Sequence, residues 1–283
     1  MLVTGATGRQ GGAVARHLLA HKVPVRILTR DPQNAAARAL ADAGALIVQG
    51  DFDDKPSLRR ALEGVSGLFA MQTPYEAGVD REVFHGLQLA DAAIEAGVDQ
   101  IVYSSVAAAD TATGVPHFES KGEIERHIAR LKFRTTTILR PVFFMEMLLS
   151  PGNLRTLADS RIALCLKPAT KVAMIAVEDI ALMAVAAFLE PETWNAKAIT
   201  LAGDVADFLD VAAAFSDALG RPIHYAQIPA GALDPDTRPK TGTQKWLEEE
   251  GWTVDLKALR ETYPFEPRTI RQWAAENTAA LSG

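Results

Sequence analysis

Residues Gly5-Ala6-Thr7-Gly8-Arg9-Gln10-Gly11-Gly12 separate a short apolar run, Met1 to Thr4, from Val14, Leu18 and Leu19, which recur at helical spacing. A strand that turns on glycines directly into a helix leaves few architectures open, because it is the opening βα unit of the dinucleotide-binding α/β folds. Each glycine has a task. Gly5 permits the tight turn off the strand, Gly8 keeps a Cβ out of the way where backbone must approach a pyrophosphate, and Gly11 lets the helix pack closely on the strand. The helix start then offers free N–H groups and a partial positive charge to a diphosphate.

The rest of the first half keeps the alternation that such a unit begins. Strands are expected at 23–29, 45–49, 66–71, 100–104 and 135–140, with helices at 32–43, 56–62, 79–96 and 118–131. In the stretch from Val79, the residues Val83, Phe84, Leu87, Ala90 and Ile94 hold helical spacing. Strands and helices alternating through short connections imply a doubly wound parallel α/β sheet covered on both faces. After Pro141 the alternation loosens. Helices are expected at 144–158, 178–189, 208–219 and 269–281, and short strands near 172–176, 198–202 and 223–228. Asp207 reads as an N-cap and Gly220 as the stop of the third of these helices. The expected organisation is a dinucleotide-binding domain over 1–142 and a smaller, mostly helical lobe over 143–283, with the chain free to cross back to the sheet. Segment 229–239, rich in proline, reads as loop.

Composition narrows the function classes. The chain has 283 residues, 29 basic against 35 acidic, for a net charge of −6, which speaks against broad phosphate-backbone binding, so no nucleic-acid partner is expected. Cys165 is the single cysteine, which excludes an internal disulfide framework and a multi-Cys metal site. The apolar run Ile180 to Leu189 is far shorter than a membrane span and no secretory signal is visible, so the expected setting is cytoplasmic. His17 and His21 stand four apart on the first helix without a third metal ligand and read as a solvated face, and Glu248 to Glu250 reads as a solvated helix end.

Cofactor preference turns on the end of the second strand, Leu28-Thr29-Arg30-Asp31-Pro32. An acid there favours ribose hydroxyls, whereas Arg30 would grip a 2′-phosphate, so NADP(H) is preferred and NAD(H) remains open. The plain alternatives are a solvated Arg30 and an Asp31 that caps the helix entered through Pro32. In Gly50-Asp51-Phe52-Asp53-Asp54, Asp51 could accept from an adenine amino group with Phe52 packing nearby, or could be a cap, as Asp53 and Asp54 are read to be. Thr73 sits just past the fourth strand, where backbone or hydroxyl would meet the ribose on the nicotinamide side.

Tyr75, Tyr103, Tyr225 and Tyr263 are followed four residues on by Val79, Ala107, Pro229 and Pro267, so the tyrosine-lysine pair of short-chain reductases is missing. Instead His117 stands four residues before Lys121. Lys121 can hold the ribose, and His117 is either a proton donor or a polar residue at a helix entry. Ser104 and Ser105 are either substrate-side hydroxyls or strand-end residues.

The segments GATGRQGG, LTRDP, GDFDD, HFESKGEIERHI and RPVFFMEMLL, with the final helix around Trp273, resemble the NmrA-like family of atypical short-chain dehydrogenases over nearly the whole chain. That resemblance implies that the glycine loop, including Thr7, Arg9 and Gln10, and Arg30 hold NADP(H). It further implies that Asp51 and Phe52 flank the adenine and that Lys121 holds the nicotinamide ribose. Family members often carry Asn where this chain has Met147, and with Phe143 and Phe144 that residue gives either an apolar wall for a flat acceptor or core between lobes. The family divides into reductases and non-catalytic redox regulators. The expectation is therefore an oxidoreductase passing hydride from NADPH to a flat acceptor such as a quinone, the alternative a redox-sensing regulator acting through protein partners. A reductase of narrow carbonyl or imine substrates is a third reading and needs His117 or another acid. The expected partners are a small hydrophobic substrate or a protein, and a homodimer is compatible with either reading.

Overall fold

The computed structural model describes residues 1–229 and 241–281. In chain order the first elements are β1 (Leu2–Val3), α1 (Arg9–Ala20), β2 (Arg26–Thr29), α2 (Ala35–Asp42), β3 (Leu46–Gln49), α3 (Lys55–Leu62), β4 (Gly67–Ala70), α4 (Pro74–Ala77), α5 (Val79–Glu95), β5 (Gln100–Ser104), α6 (Pro116–Ile128) and β6 (Thr135–Pro141). They continue with β7 (Phe143–Phe144), α7 (Pro151–Ala158), β8 (Arg161–Leu164), β9 (Val172–Ile175), α8 (Val177–Leu189), α9 (Pro191–Trp194) and β10 (Lys197–Leu201). The last are β11 (Asp204–Ala206), α10 (Phe208–Leu219), β12 (His224–Gln227), α11 (Thr241–Glu249), α12 (Leu256–Thr262), α13 (Ile270–Glu276) and α14 (Thr278–Leu281).

The chain divides into two compact units. The first comprises residues 1–112, 116–140 and 180–200. Its sheet has seven strands in the order β10-β6-β5-β4-β1-β2-β3, with parallel pairing throughout β6 to β3. The order reverses at β1, which lies between β4 and β2 as in doubly wound folds. The strands read as near-continuous apolar runs because both faces are covered: Leu68, Ile101 and Tyr103 pack on one face with Leu89, Ala92 and Ala93 of α5 and with Ile124 and Ile128 of α6, and the alternating Val3, Ile27, Phe69 and Val102 are buried as well. Gln100 donates to the carbonyl of Ala187, and Thr137 to that of Trp194, tying the returning segment to the sheet.

The second unit comprises residues 113–115, 141–179 and 201–283. It holds a three-stranded sheet, β11-β9-β7, and a parallel pair, β12 with β8. The strands β8 and β11 fall outside the sequence expectations. Glu146 accepts from the N–H of Val177 at 3.1 Å and from Trp273 Nε1 at 2.9 Å, and the Trp273 ring lies against Phe215 of α10.

Several expectations meet corrections here. Residues 144–158 are not one helix: Phe143–Phe144 form β7, Met145–Leu149 a 3-10 turn, and α7 starts at Pro151 behind the Ser150 cap. Proline has no N–H to continue a helix and is instead favoured at the first helical position. The final helix breaks at Asn277 into α13 and α14. Asp31 does not cap α2. Its carboxylate accepts from the N–H of Gln33 in a local turn, and the helix starts three residues later under Asn34, which accepts from Ala36. Asp54 holds the N-cap position of α3 without a side-chain cap bond, and the Asp53 carboxylate is turned to Arg81 and His85 of α5. Glu248 is no solvated acid, since its side chain is 13% exposed and accepts from the backbone of Lys167. Asp207 forms a full capping box, and Gly220 ends α10 with a φ of 61°. The proline-rich stretch lies outside the described residues beyond Pro229.

Candidate functional site

The turn after β1 is built as its glycines suggest. Gly5 has a φ of 62° and its carbonyl accepts from the N–H of Gly8 at 2.9 Å. A Cβ on Gly11 would lie 2.5 Å from backbone atoms of Gly5 and Thr4, so α1 can rest on β1 only without one. Gly8 is the N-cap of α1, where no side chain caps the helix and no acid stands in the first turn. A Cβ at Gly8 would meet just the Gly5 carbonyl, at 3.3 Å, leaving the helix mouth open.

Beside this mouth lies a buried polar cluster. Gln10, 4% exposed, donates from Nε2 to Ser104 Oγ at 2.7 Å, linking α1 to the end of β5. Lys121 on α6 donates to the carbonyl of Gln72 at 2.7 Å and of Ser104 at 3.4 Å, and its Nζ lies 3.1 Å from Glu82 Oε1. Ser120 donates to the other Glu82 oxygen at 2.5 Å. Burial pushes the Lys121 ammonium below its usual pKa, and the Glu82 carboxylate opposes that shift. Tyr103 lies under Lys121, its ring centroid 5.4 Å from Nζ, and burial drives its phenol well above the usual value. The Gln72 amide is buried and, among the described residues, neither its oxygen nor its nitrogen finds a hydrogen-bond partner. A buried amide without a partner costs free energy that a bound polar group would recover.

The GDFDD segment is fastened to α5. Asp51 accepts from the N–H of Asp53, the Phe52 ring lies 5.3 Å from that of His85, and the Phe52 carbonyl accepts from Gln88. Arg30 is exposed and ion-paired with Glu76 of α4, Nη2 to Oε2, at 2.8 Å. The Thr73 hydroxyl caps α4 by accepting from the N–H of Tyr75. His117 packs edge-on to Phe118 with ring centroids 4.7 Å apart. Ser104 accepts from Gln10, and Ser105 donates to Glu125, whose carboxylate is held by Arg140 at 2.6 and 3.0 Å.

Glu82, Gln72 and Glu76 are the members that the sequence patterns above do not single out. Glu82 carries a readable signal, since it shares the buried stripe of α5 with Gly86, Leu89 and Ala93, where a carboxylate needs a partner. Gln72 and Glu76 carry none.

An open glycine-capped helix mouth at the switch point of a parallel sheet defines a Rossmann-type α/β protein, and the residues at that mouth fit a dinucleotide. The chain belongs to the NmrA-like family, whose profile matches residues 1–249. A (4-alkanoyl-5-oxo-2,5-dihydrofuran-3-yl)methyl phosphate reductase of Streptomyces griseus is 31% identical, over 100% of this chain and 99% of the relative. The NADPH-dependent quinone oxidoreductase QOR2 of Escherichia coli, solved with NADPH, superposes with a TM-score of 0.81 at 26% identity, covering 100% of this chain and 99% of that one. The negative transcriptional regulator NmrA, solved with NADP, superposes at 0.77 with 21% identity, over 98% and 95% of the two chains. Among the described residues no helix is long and apolar enough to cross a membrane.

Proposed function

We propose that the protein is an NADPH-dependent oxidoreductase that reduces a flat, apolar acceptor such as a quinone, with NADH as a weaker donor. The observation that carries this reading is the open N-terminus of α1 standing beside the buried Lys121–Glu82–Gln72 cluster at the carboxyl ends of the strands. The likeness to a reductase matched over nearly its whole length and to a quinone oxidoreductase supports it.

Bound NADPH supplies the hydride. Gly5, Thr7, Gly8, Arg9, Gln10 and Gly11 form the seat for the diphosphate, Asp51 and Phe52 flank the adenine, and Arg30 takes the 2′-phosphate. Thr73 and Lys121 face the ribose on the nicotinamide side. Lys121 donates to two carbonyls beside its ion pair with Glu82, and a ribose hydroxyl replaces the longer of those bonds, the 3.4 Å one to Ser104. A quinone that takes up hydride becomes a hydroquinone anion and collects its proton from water. The absent tyrosine is then no obstacle, and His117 is needed as an acid only for acceptors that cannot hold the charge.

A second reading is a non-catalytic regulator that responds to the NADPH/NADP ratio, favoured by the deep burial of Tyr103, whose phenol is not exposed to act on a substrate. The test is NADPH oxidation against quinones and dyes, with NADH in parallel, together with Lys121→Ala and a cofactor titration. Turnover by the wild type that collapses in a variant still folded under the assay conditions supports the reductase. Tight NADPH binding without turnover on any acceptor sinks it in favour of the regulator.

A further inference from the structure

Arg30 is the cation expected to meet a 2′-phosphate, yet its guanidinium is already engaged. Its Nη2 lies 2.8 Å from Oε2 of Glu76, with side chains 65% and 58% exposed. The backbone on both sides of the pair is fixed. The Arg30 carbonyl accepts from Gln49 Nε2 at 3.2 Å, and Thr29 holds the N–H of Asp31 through its hydroxyl. Glu76 sits on α4, a four-residue helix closed by Thr73 at its start and by Gly78, φ 88°, at its end. The carboxylate is therefore presented to Arg30 from an anchored turn rather than from a long free loop.

We infer that Glu76 sets how strongly the protein discriminates between a dinucleotide with a 2′-phosphate and one without. This rests on the proposal that Arg30 receives that phosphate. A 2′-phosphate arriving at Arg30 competes with the carboxylate for the same guanidinium and is repelled by it at close range. An exposed ion pair is weak, so the phosphate displaces Glu76, but the affinity is reduced by the contact it must break. A dinucleotide with a plain ribose 2′-hydroxyl meets no such competition. Glu76 thus narrows the preference for NADP(H) and keeps NAD(H) within reach, a positioning role exerted through Arg30.

The probes are 2′,5′-ADP and 5′-AMP, which differ in the 2′-phosphate alone, titrated calorimetrically into wild type, Glu76→Gln and Arg30→Gln. Glu76→Gln is expected to bind 2′,5′-ADP about fivefold more tightly at low salt, with 5′-AMP unchanged, and the gain is expected to shrink as salt screens the charges. Both side chains are exposed, so thermal unfolding of the variants is expected to match wild type. If Arg30→Gln abolishes the preference for 2′,5′-ADP while Glu76→Gln binds both probes as wild type does, the role of Glu76 is overturned and that of Arg30 stands. If Arg30→Gln leaves the preference intact, both are overturned.

Discussion

Lys121 and Glu82 form a buried ion pair across α6 and α5: Nζ lies 3.1 Å from Oε1, with the lysine side chain 10% exposed and the glutamate fully covered. Neither charge would be tolerated there alone. Ser120 and the carbonyls of Gln72 and Ser104 complete the coordination, so the pair behaves as one polar unit set into an apolar core.

Breaking that unit on one side is expected to cost more than dissolving it on both. Lys121→Met leaves the Glu82 carboxylate buried without its cation, and a loss of about 3–5 kcal/mol is expected in denaturant unfolding. Adding Glu82→Gln removes the stranded charge and is expected to restore much of that loss. A Lys121→Met protein that unfolds at the wild-type denaturant concentration would refute the account.

The two glycines of the turn separate folding from binding. In Gly11→Ala the new methyl meets rigid backbone at 2.5 Å on three atoms, so α1 must lift off β1. The expected cost is about 1–3 kcal/mol or more in thermal stability. Gly8→Ala meets a single carbonyl at 3.3 Å and is expected to fold nearly as wild type. Its methyl stands at the helix mouth, and NADPH titration is expected to show at least tenfold weaker binding (about 1.4 kcal/mol). Equal NADPH affinity in Gly8→Ala and wild type would mean that the mouth is not the diphosphate seat.

Alkaline stability should report on Tyr263. Burial, reinforced by the Asp179 carboxylate, pushes its phenol up to about 12, although the N–H of Ala202 donates to its oxygen and works the other way. The unfolded chain releases this proton near pH 10 while the folded chain retains it, so stability falls as pH rises from about 10 to 12. Tyr263→Phe is expected to lose about 1 kcal/mol at neutral pH, with the Ala202 N–H left unpaired, and to show a shallower alkaline decline. Chemical unfolding at stepped pH measures both slopes, and parallel slopes would contradict the assignment.

The parts of this fold that sequence makes legible are those whose cause is local. The glycine turn, β5 at 100–104 and α10 at 208–219 follow from neighbouring residues, and the Asp207 box and Gly220 stop are complete within one turn of their helix. Elements made by distant partners leave no such trace. β8 exists because Arg161–Leu164 pairs with His224–Gln227, sixty residues away, and its own composition is unremarkable. The expected helix over 144–158 fails for a local reason, because Pro151 forbids a continuous helix and starts α7 anew. At the site, Lys121 is legible from its position after His117 and Glu82 from its place in the buried stripe of α5, whereas Gln72 and Glu76 are not. Glu76 reaches Arg30 from an element whose direction only the tertiary fold fixes.

The return of residues 180–200 to the first unit has a bearing on how the chain is made. A ribosome that has released residues up to Arg140 has delivered the whole run of consecutive βα units, but not β10, the strand that covers β6. Until some sixty further residues emerge, β6 is a bare edge, the Thr137 hydroxyl lacks the Trp194 carbonyl and the Gln100 amide lacks that of Ala187. Synthesis therefore passes through a nascent stage in which a nearly finished sheet offers an open strand to any neighbouring chain, and the late segment acts as its built-in sealant.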